Sequence, residues 1–302
     1  MTLNHVVVVG AGAMGSQIGM VCALAGLSAT VTDIAAPALA RAETGLRSRL
    51  SRDIEKGRRT AAEVAAAFGR LTFSTDLAAA ASTADYVIEA AVEKLDVKRA
   101  LFADLDRYAP PHAILATNSS SIVSSRIADA TGRPEKVCNL HFFNPALIMT
   151  CVEVVRGPAT SDLTVETSIA FVERLGKTPV VLNREIPGFV ANRILNAVRD
   201  EAIYLLENEI ASVADIDTAC RTALGYPMGP FELMDLTGID IGYLTKQDRF
   251  AQTGDPSDRP SSSVTALVER GELGRKTGKG WYSYDQAGIK TPRPTGEVRV
   301  TS

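Results

Sequence analysis

The sequence predicts an α/β protein in which a doubly wound, mostly parallel sheet is followed by a smaller, all-helical domain. Three observations predict this fold class. Short β-branched runs alternate with helical segments as far as residue 182. The first run ends in a glycine-rich turn, Gly10-Ala-Gly-Ala-Met-Gly15. After Gly188 only helical periodicity remains. We therefore expect a sheet domain over residues 1–186 and a helical domain over residues 187–302.

The first strand and its turn predict a dinucleotide site. Val6–Val9 is a run of valines without alternation, which suits a strand buried on both faces. In the GxGxxG turn, Gly10 permits a tight bend, Gly12 lets the backbone approach a pyrophosphate, and Gly15 allows close packing of helix on strand. The helix that follows, over Ser16–Leu27, has an N-terminus suited to phosphate. This order is typical of a Rossmann-type domain.

The second strand, Ala29–Asp33, ends in the acid that such a site needs. A carboxylate at this position can accept hydrogen bonds from both ribose hydroxyls. Ile-Ala-Ala follows Asp33, with no nearby arginine to meet a 2′-phosphate. The sequence therefore predicts NAD rather than NADP as the cofactor.

The remaining elements complete the alternation. Further strands are expected at Leu71–Ser74, Asp85–Glu89, Ala113–Thr117, Val137–His141, Cys151–Val155 and Pro179–Leu182. Helices are expected at Arg41–Phe68 (with a break near Gly57), Leu95–Tyr108 and Ser161–Leu175. Ligands of such sheets bind beyond the carboxyl ends of the strands. Three polar segments fall there: residues 89–93, 118–121 and 141–144.

The second half contains only helical patterns. Helices are expected at Gly188–Glu207, Val213–Leu224 (capped by Ser212), Phe231–Leu236, Ile239–Phe250 and Ser261–Arg270. Residues from about 286 to 302 are rich in Thr, Pro, Gly and charge, and are predicted to form a loose tail. The apolar faces of a domain this small suit sharing with a second subunit, so we expect a homodimer.

Composition excludes several classes of protein. The formal net charge is −3, which gives no electrostatic footprint for nucleic acid or for a membrane surface. No apolar run is long enough to span a membrane, and the first ten residues lack the basic region of a secretory signal. The four cysteines form no CxxC pair and lie in apolar contexts, which favours reduced thiols. We expect a cytoplasmic protein without a metal site.

His141 and Glu153 are the candidate catalytic pair. A nicotinamide enzyme that oxidises an alcohol needs a base for the hydroxyl proton, and histidine titrates near working pH. A carboxylate on the other ring nitrogen sets the tautomer. Each residue has a structural alternative: a buried core histidine, and a strand glutamate facing solvent. Their joint position at the cofactor edge of the sheet favours the pair.

Ser120 and Asn192 are the other candidates for catalysis. Ser120 follows a strand and could hydrogen-bond the substrate oxygen; alternatively, one serine of the triplet 119–121 caps a following helix. Asn192 lies near the start of the long helix of the second domain. It could add a polar contact or be an exposed helix residue. His5 and His112 have no such context and are taken as structural.

Eight segments, in this order and spacing, resemble the 3-hydroxyacyl-CoA dehydrogenase family in its single-function, 3-hydroxybutyryl-CoA dehydrogenase-like form. They are VVVGAGAMGSQIG, VIEAAVE, ATNSSSI, HFFNP, VEVVRG, PGFVANRIL, YPMGPFELMDLTGID and GRKTGKGWYSY. The resemblance implies NAD-dependent oxidation of L-3-hydroxyacyl-CoA to 3-ketoacyl-CoA, in a cleft between a Rossmann domain and a helical dimerisation domain. It also implies a place in fatty acid metabolism, in β-oxidation.

The resemblance assigns roles to residues. His141 would be the base and Glu153 its orienting partner, while Ser120 and Asn192 would position the substrate. Lys56 would lie in the region that meets a CoA phosphate, and Ser120 would also contact the CoA substrate. The cofactor contacts it implies, together with those of the glycine-rich turn, are Gly10, Gly12, Ala13, Met14, Gly15, Asp33, Ala90, Glu93, Lys98, Asn118, Ser120, Asn144 and Lys276.

Two departures from the family pattern are visible. The usual Asn-Thr-Ser-Ser reads Asn-Ser-Ser-Ser at residues 118–121. Members often carry a second proline and a lysine after HFFNP, where this chain has Leu147 and Thr150. The second departure leaves open the contacts at the acyl end and the chain-length preference.

Two alternative functions remain. One is a dehydrogenase of the same architecture that acts on a free hydroxy acid or sugar acid, as in the gulonate dehydrogenase and lens-crystallin branch. The paired phenylalanines after His141 and the complete PGFVANRIL motif favour the acyl-CoA branch. The other is an NAD-binding protein without turnover. The intact serine, histidine, glutamate and asparagine set speaks against it, because binding alone needs none of them.

Overall fold

The computed structural model describes residues 3–299, which divide after Val190 into two compact units. The sequence places this boundary slightly earlier, after residue 186. No helix within residues 3–299 is long and apolar enough to cross a membrane. The same part of the chain contains no group of three or more His, Cys, Asp or Glu residues that could hold a metal ion.

The first unit is built on an eight-stranded sheet with the order β3-β2-β1-β4-β5-β6-β7-β8. All eight predicted strands are present, and the α/β fold class is confirmed. The order of the first six strands is that of a Rossmann domain. Only the β6–β7 pair is antiparallel, so β7 and β8 run opposite to the other strands. The strands are β1 (His5–Val9), β2 (Ser28–Thr32), β3 (Leu71–Ser74), β4 (Tyr86–Glu89), β5 (Ile114–Thr117), β6 (Val137–Phe142), β7 (Cys151–Val155) and β8 (Thr178–Leu182).

Six α-helices accompany this sheet within the described residues. The break expected near Gly57 within residues 41–68 is confirmed, because the chain turns there with φ 64° and a new helix begins after Thr60. Thr60 and Glu63 form a capping box there. A short helix near residue 80 was not expected. The helices are α1 (Ala13–Leu24), α2 (Ala36–Glu55), α3 (Ala61–Phe68), α4 (Leu77–Ala81), α5 (Leu95–Tyr108) and α6 (Asp162–Arg174).

Burial on both faces of the sheet explains the unalternating strand sequences. Val6 and Val8 pack into one core, and Val7 and Val9 pack into the other. All four valines are buried. The helices therefore cover both sides of the sheet, and the carboxyl ends of β1, β4, β5 and β6 remain at one edge as the place for ligands.

The second unit contains the expected helices and some further structure. The helices are α7 (Ala191–Glu207), α8 (Val213–Ala223), α9 (Pro230–Thr237), α10 (Ile239–Thr253) and α11 (Ser262–Glu269). Ser212 caps α8 as predicted, accepting a hydrogen bond from the Asp215 amide. The unit is not all-helical, however, because β9 (Tyr282–Tyr284) and β10 (Lys290–Pro292) form an antiparallel pair.

The prediction of a loose tail is wrong for the described residues up to 299. Strand β10 and a short helix, α12 (Thr295–Val298), fold onto the unit. Val298 is fully buried, and the guanidinium of Arg293 forms ion pairs with Glu272 and Glu297. Polar composition concealed this segment because its anchors are ion pairs and one valine rather than an apolar run. Residues 300–302 lie outside the described residues.

A buried carboxylate holds the loop before β9. Asp235 of α9 accepts hydrogen bonds from the amides of Trp281 and Tyr282 and from the Tyr284 hydroxyl. Burial raises the pKa of Asp235, against the effect of these hydrogen bonds. A Cβ at Gly280 would lie 2.2 Å from the Asp235 carboxylate, so only glycine fits there. The glycine-rich segment 274–280 is thereby fixed to α9.

Candidate active site

Sheet register places the two candidate catalytic residues opposite each other. In the antiparallel β6–β7 pair, His141 lies directly across from Glu153. The Nδ1 atom of His141 donates a hydrogen bond to Oε2 of Glu153 at 2.7 Å. Glu153 is fully buried and His141 is 7% exposed, so the alternative of a glutamate facing solvent is wrong. The two residues form a buried dyad.

The hydrogen bond determines which nitrogen can act as a base. An ionised carboxylate only accepts, so the proton of the neutral imidazole lies on Nδ1. The lone pair is then on Nε2, which has no hydrogen-bond partner within residues 3–299. Glu153 also stabilises the imidazolium that forms when Nε2 takes a proton. This is the arrangement that removal of a hydroxyl proton requires.

The dyad is braced by the chain at residues 188–190. The Val190 amide donates to Oε1 of Glu153 at 3.0 Å, so each carboxylate oxygen has a separate partner. Phe189 is fully buried, and its ring centroid lies 5.5 Å from that of His141. Phe143 packs against the imidazole at 4.5 Å. Phe189 has φ 50°, a backbone conformation rare for a bulky residue, and it marks this turn as a constrained site.

The loop between the two strands is fixed at its far end. The ammonium of Lys177 donates to the carbonyls of Ala146 and Met149, at 2.7 and 2.6 Å. The Leu147 amide donates to the side chain of Gln17 at 3.3 Å. Ile148 and Met149 are exposed on this loop. The backbone is therefore held, with Ile148 and Met149 facing outward, whereas Leu147, which departs from the family pattern, is half-buried against the core.

Ser120 lies in a turn at the end of β5. The side chain of Asn118 accepts a hydrogen bond from the Phe142 amide at 2.9 Å, which joins this turn to β6 beside His141. No α-helix follows the serines; the next element is a single 3₁₀ turn, Ser124–Arg126, capped by Val123 without a side-chain bond. The helix-cap alternative is therefore wrong. Within the described chain, the Ser120 hydroxyl has no hydrogen-bond partner.

A cleft of about 910 Å³ opens at the glycine-rich turn. It is lined by five of the predicted cofactor residues, namely Gly10, Gly12, Ala13, Asp33 and Ala90. A Cβ at Gly12 would meet no atom within 4 Å, which leaves the backbone open to a ligand. A Cβ at Gly15 would lie 1.9 Å from the Gly10 carbonyl oxygen. The turn therefore fits a dinucleotide pyrophosphate in the way its spacing predicts.

Asp33 is oriented by the loops on either side of it. One carboxylate oxygen accepts from the Ala11 amide and the other from the Ala35 amide, both at 2.9 Å. Each carboxylate oxygen can accept more than one hydrogen bond, so both remain able to bind a ribose hydroxyl. The residues present fit the adenosine half of NAD.

The cleft also contains three arginines that the sequence pattern does not place there. Arg41, Arg49 and Arg52 of α2 line the same cleft as Asp33. The expectation that no arginine lies near this site is therefore wrong. The Nε atom of Arg49 is buried and has no hydrogen-bond partner in the described part of the chain. Arg49 follows Arg41 by eight residues and Arg52 follows Arg49 by three, so the three side chains share one helix face. Only the packing of α2 shows that this face borders the cleft.

The remaining predicted cofactor residues of the first unit do not line this cleft. Glu93 and Asn118 follow β4 and β5, and Asn144 is exposed after β6. Lys98 is 1% exposed and forms ion pairs with Glu89 and Glu93, at 2.6 and 3.2 Å. Its ammonium is therefore taken up by carboxylates of the protein. Met14 and Gly15 lie in the first turn of α1, and Lys56 is exposed at the end of α2.

Two candidate residues belong to the second unit. Asn192 is the second residue of α7. Lys276 lies in the 3₁₀ turn Arg275–Thr277, and its ammonium bonds both carboxylate oxygens of Asp240, at 2.5 and 2.6 Å. The loop that carries Lys276 is the segment held by Asp235. Their roles stay predictions.

Known proteins of one family are similar to this chain over nearly its whole length. Residues 5–186 match the family model described as 3-hydroxyacyl-CoA dehydrogenase, NAD binding domain, and residues 188–284 match the C-terminal domain of the same family. A probable 3-hydroxybutyryl-CoA dehydrogenase of Bacillus subtilis is 39% identical over 286 residues, covering 95% of this chain and 99% of the relative. The mitochondrial hydroxyacyl-coenzyme A dehydrogenase of Rattus norvegicus is 40% identical, covering 93% and 91%.

A solved structure shows the same likeness in three dimensions. The (S)-3-hydroxybutyryl-CoA dehydrogenase of Ralstonia eutropha superposes with a TM-score of 0.86. It is 36% identical, and the match covers 94% of this chain and all of that one.

Proposed function

This chain belongs to the 3-hydroxyacyl-CoA dehydrogenase family, and we propose that it acts as a single-function enzyme that converts L-3-hydroxyacyl-CoA reversibly to 3-ketoacyl-CoA. It is an NAD-dependent oxidoreductase. The observation that carries the proposal is the buried dyad, in which Glu153 leaves the Nε2 atom of His141 as the base.

The proposed reaction requires removal of a proton and a hydride from the same alcohol. NAD, when bound, accepts the hydride. Nε2 of His141 takes the hydroxyl proton, and Glu153 stabilises the resulting imidazolium. In the reverse direction the imidazolium returns the proton to the ketone oxygen. Ser120 donates a hydrogen bond to the substrate oxygen, and Asn192 is assigned a role in positioning the substrate by the family resemblance.

Asp33 makes the enzyme selective for NAD over NADP. Its carboxylate accepts from ribose hydroxyls, and it repels a 2′-phosphate. We expect Asp33→Asn to raise the ratio of kcat/KM for NADP to that for NAD by about 10²-fold, because the repulsion is lost while three arginines remain in the cleft. Steady-state kinetics with both cofactors measure the ratio.

A matched control for this variant is Asp129→Asn. Asp129 is an exposed carboxylate that pairs with Arg99 and does not line the cleft. Its removal should leave the cofactor ratio unchanged. Equal efficiency of the unaltered enzyme with NAD and NADP would contradict the role of Asp33.

Basic residues of α2 border the NAD cleft, and Lys56 at the end of this helix is the residue proposed to meet a CoA phosphate. Arg41, Arg49 and Arg52 present three positive charges to one cleft, and Lys56 continues the same helix at its exposed end. Arginine binds phosphate bidentately and lysine binds it as a point charge. The three arginines line the cleft assigned to NAD, so they suit the phosphates of the cofactor and do not distinguish a CoA thioester from a free acid.

Kinetics with a panel of substrates test the proposed function directly. NADH formation is measured with L-3-hydroxyacyl-CoAs of increasing chain length, beside free 3-hydroxy acids and gulonate. We expect kcat/KM for the preferred thioester to exceed that for the corresponding free acid by at least about 10²-fold, because the CoA part supplies binding energy remote from the reacting carbon. Comparable kcat/KM for thioesters and free acids would contradict the proposal and favour the activity of the gulonate dehydrogenase branch.

Membership of this family also suggests a compartment, an oligomeric state and a metabolic role for the enzyme. We propose that the enzyme is a cytoplasmic homodimer formed through its second unit and that it serves β-oxidation in fatty acid metabolism. Leu236, Ile241 and Leu244 of α9 and α10 are exposed apolar residues that suit an interface. The four cysteines are unpaired, which suits a reducing compartment.

A further inference from the structure

The three serines at the end of β5 are not equivalent. The hydroxyls of Ser119 and Ser121 both donate to the same oxygen, Oε1 of Glu93, and the Ser121 bond measures 2.5 Å. Ser120, between them, makes no side-chain hydrogen bond within residues 3–299. One carboxylate therefore turns the two flanking side chains in the same direction and leaves the middle hydroxyl for a ligand.

The backbone of this serine turn is fixed as well. The Ser119 hydroxyl oxygen accepts from the amides of Ser121 and Ile122, at 3.3 and 2.8 Å. The buried side-chain amide of Asn139 donates to the carbonyls of Ser119 and Ile122, at 3.1 and 3.0 Å. Asn139 lies in β6 two residues before His141. The turn is thereby tied to the strand that carries the base.

A buried cation holds Glu93 from behind. The Lys98 ammonium lies 3.2 Å from Oε2 of Glu93 and 2.6 Å from Oε1 of Glu89. Glu89 is fully buried, and it also accepts from the Ala91 amide and from the Thr117 hydroxyl, at 2.7 and 2.6 Å. Burying an unpaired ion destabilises a protein by several kcal/mol. The buried ammonium of Lys98 therefore requires the carboxylates of Glu89 and Glu93 beside it.

The charges of this chain of contacts reinforce one another. Burial opposes ionisation of Glu93, but the hydrogen bonds from Ser119 and Ser121 and the charge of Lys98 together hold its pKa below the usual value. Glu93 is therefore a carboxylate at working pH, and it accepts charge-assisted hydrogen bonds from both serines. Such bonds are roughly twice as strong as neutral ones.

We propose that Glu93 and Lys98 are positioning residues that, through Ser119 and Ser121, set the Ser120 hydroxyl in place for the substrate oxygen. Glu89 anchors this arrangement to the sheet. The proposal rests on the role given to Ser120 under the proposed function. Lys98 and Glu93 then act on the serine turn rather than through contact with the cofactor. The serines on either side of Ser120 are needed because each donates a hydrogen bond to Glu93.

A mutant cycle on the full-length enzyme, with NAD and L-3-hydroxybutyryl-CoA, tests the proposal. The double variant Ser119→Ala/Ser121→Ala should lower kcat about tenfold, with the KM for NAD within about twofold, because a misplaced group costs rate more than binding. Ser120→Ala should also cost about tenfold. If the three serines act as a unit, the kcat of the triple variant should be about tenfold below that of the unaltered enzyme. Independent effects would instead multiply to about a hundredfold.

Two further variants separate positioning from folding. Ser119→Thr keeps the hydroxyl and should retain wild-type kcat. Ser125→Ala removes an exposed hydroxyl that has no hydrogen-bond partner within residues 3–299, so kcat and the KM for NAD should stay at their wild-type values. If Ser119→Ala lowers stability, the single Ser121→Ala variant, at an exposed position, still reports the loss of one bond to Glu93 as an intermediate fall in kcat.

The outcomes distinguish this proposal from the function on which it rests. An additive triple variant, or a double variant with wild-type kcat, would overturn the positioning role and leave the dehydrogenase assignment intact. Wild-type kcat in Ser120→Ala would overturn the role of Ser120 and the positioning proposal together. Absence of turnover with every acyl-CoA in the unaltered enzyme would overturn the proposed function itself.

Discussion

Replacing His141 with alanine is expected to lower kcat by at least about 10²-fold while the Kd for NAD changes by less than about twofold. The imidazole is the only side chain of the dyad whose free lone pair can take the hydroxyl proton, and it lies on β6, whereas the cofactor cleft opens at the end of β1. Initial rates of NADH formation give kcat, and quenching of protein fluorescence by NAD gives Kd.

Two additional variants make this result interpretable. His141→Ala leaves the buried Glu153 without its partner, so a parallel His141→Gln variant keeps a side-chain donor for that carboxylate. His112→Ala is the matched control, because His112 is a half-exposed histidine that pairs with Asp85 on the surface. Turnover near the wild-type value in both His141 variants would remove His141 as the base.

Glu153→Gln is expected to lower kcat by about 10³-fold, with the KM for NAD little changed. The amide nitrogen of glutamine donates a hydrogen bond, so it favours the tautomer in which Nδ1 accepts and Nε2 holds the proton. That tautomer cannot take the hydroxyl proton. The neutral amide also gives less stabilisation to the imidazolium. The isosteric change leaves the volume of the buried site intact, so kcat should fall without a large change in melting temperature.

Glu185→Gln is the control for the second variant. Glu185 is a carboxylate of the same unit that accepts from the Ser124 hydroxyl and the Ser125 amide, and it makes no contact with the dyad. Its substitution should leave kcat within about twofold of wild type. A similar fall in kcat for both glutamine variants would indicate a general structural disturbance in place of a tautomer effect.

The strands and their order along the chain were predictable because each has a short β-branched run and a clear turn signal. The connection over residues 143–150 is too short for a parallel crossover and indicates that β6 and β7 are antiparallel, but it does not reveal that His141 lies opposite Glu153. Their register is a tertiary fact, and it brings the two side chains to 2.7 Å.

The missed features share a physical cause. The arginines of α2 are visible in the sequence, but the rotation of that helix relative to the sheet determines that they face the cofactor cleft. Strand β10 and Val298 were concealed by the polar residues around them. The burial of Lys98 contradicts the usual exposure of lysine, and it follows from two carboxylates that lie apart in sequence. Long-range pairing, rather than local propensity, decides each case.

The antiparallel β6–β7 pair has a consequence for how this enzyme can be altered. The dyad is held by strand register and by Val190, and the two rings that contact the imidazole belong to Phe143 and Phe189, outside positions 147–150. The loop between the strands is tethered by Lys177 through backbone carbonyls, which any residue supplies. The contacts that hold the dyad and those that hold the loop of this hairpin are therefore made by different residues. Substitution of the exposed Ile148 and Met149 is therefore expected to leave the hydrogen bond between His141 and Glu153 unchanged.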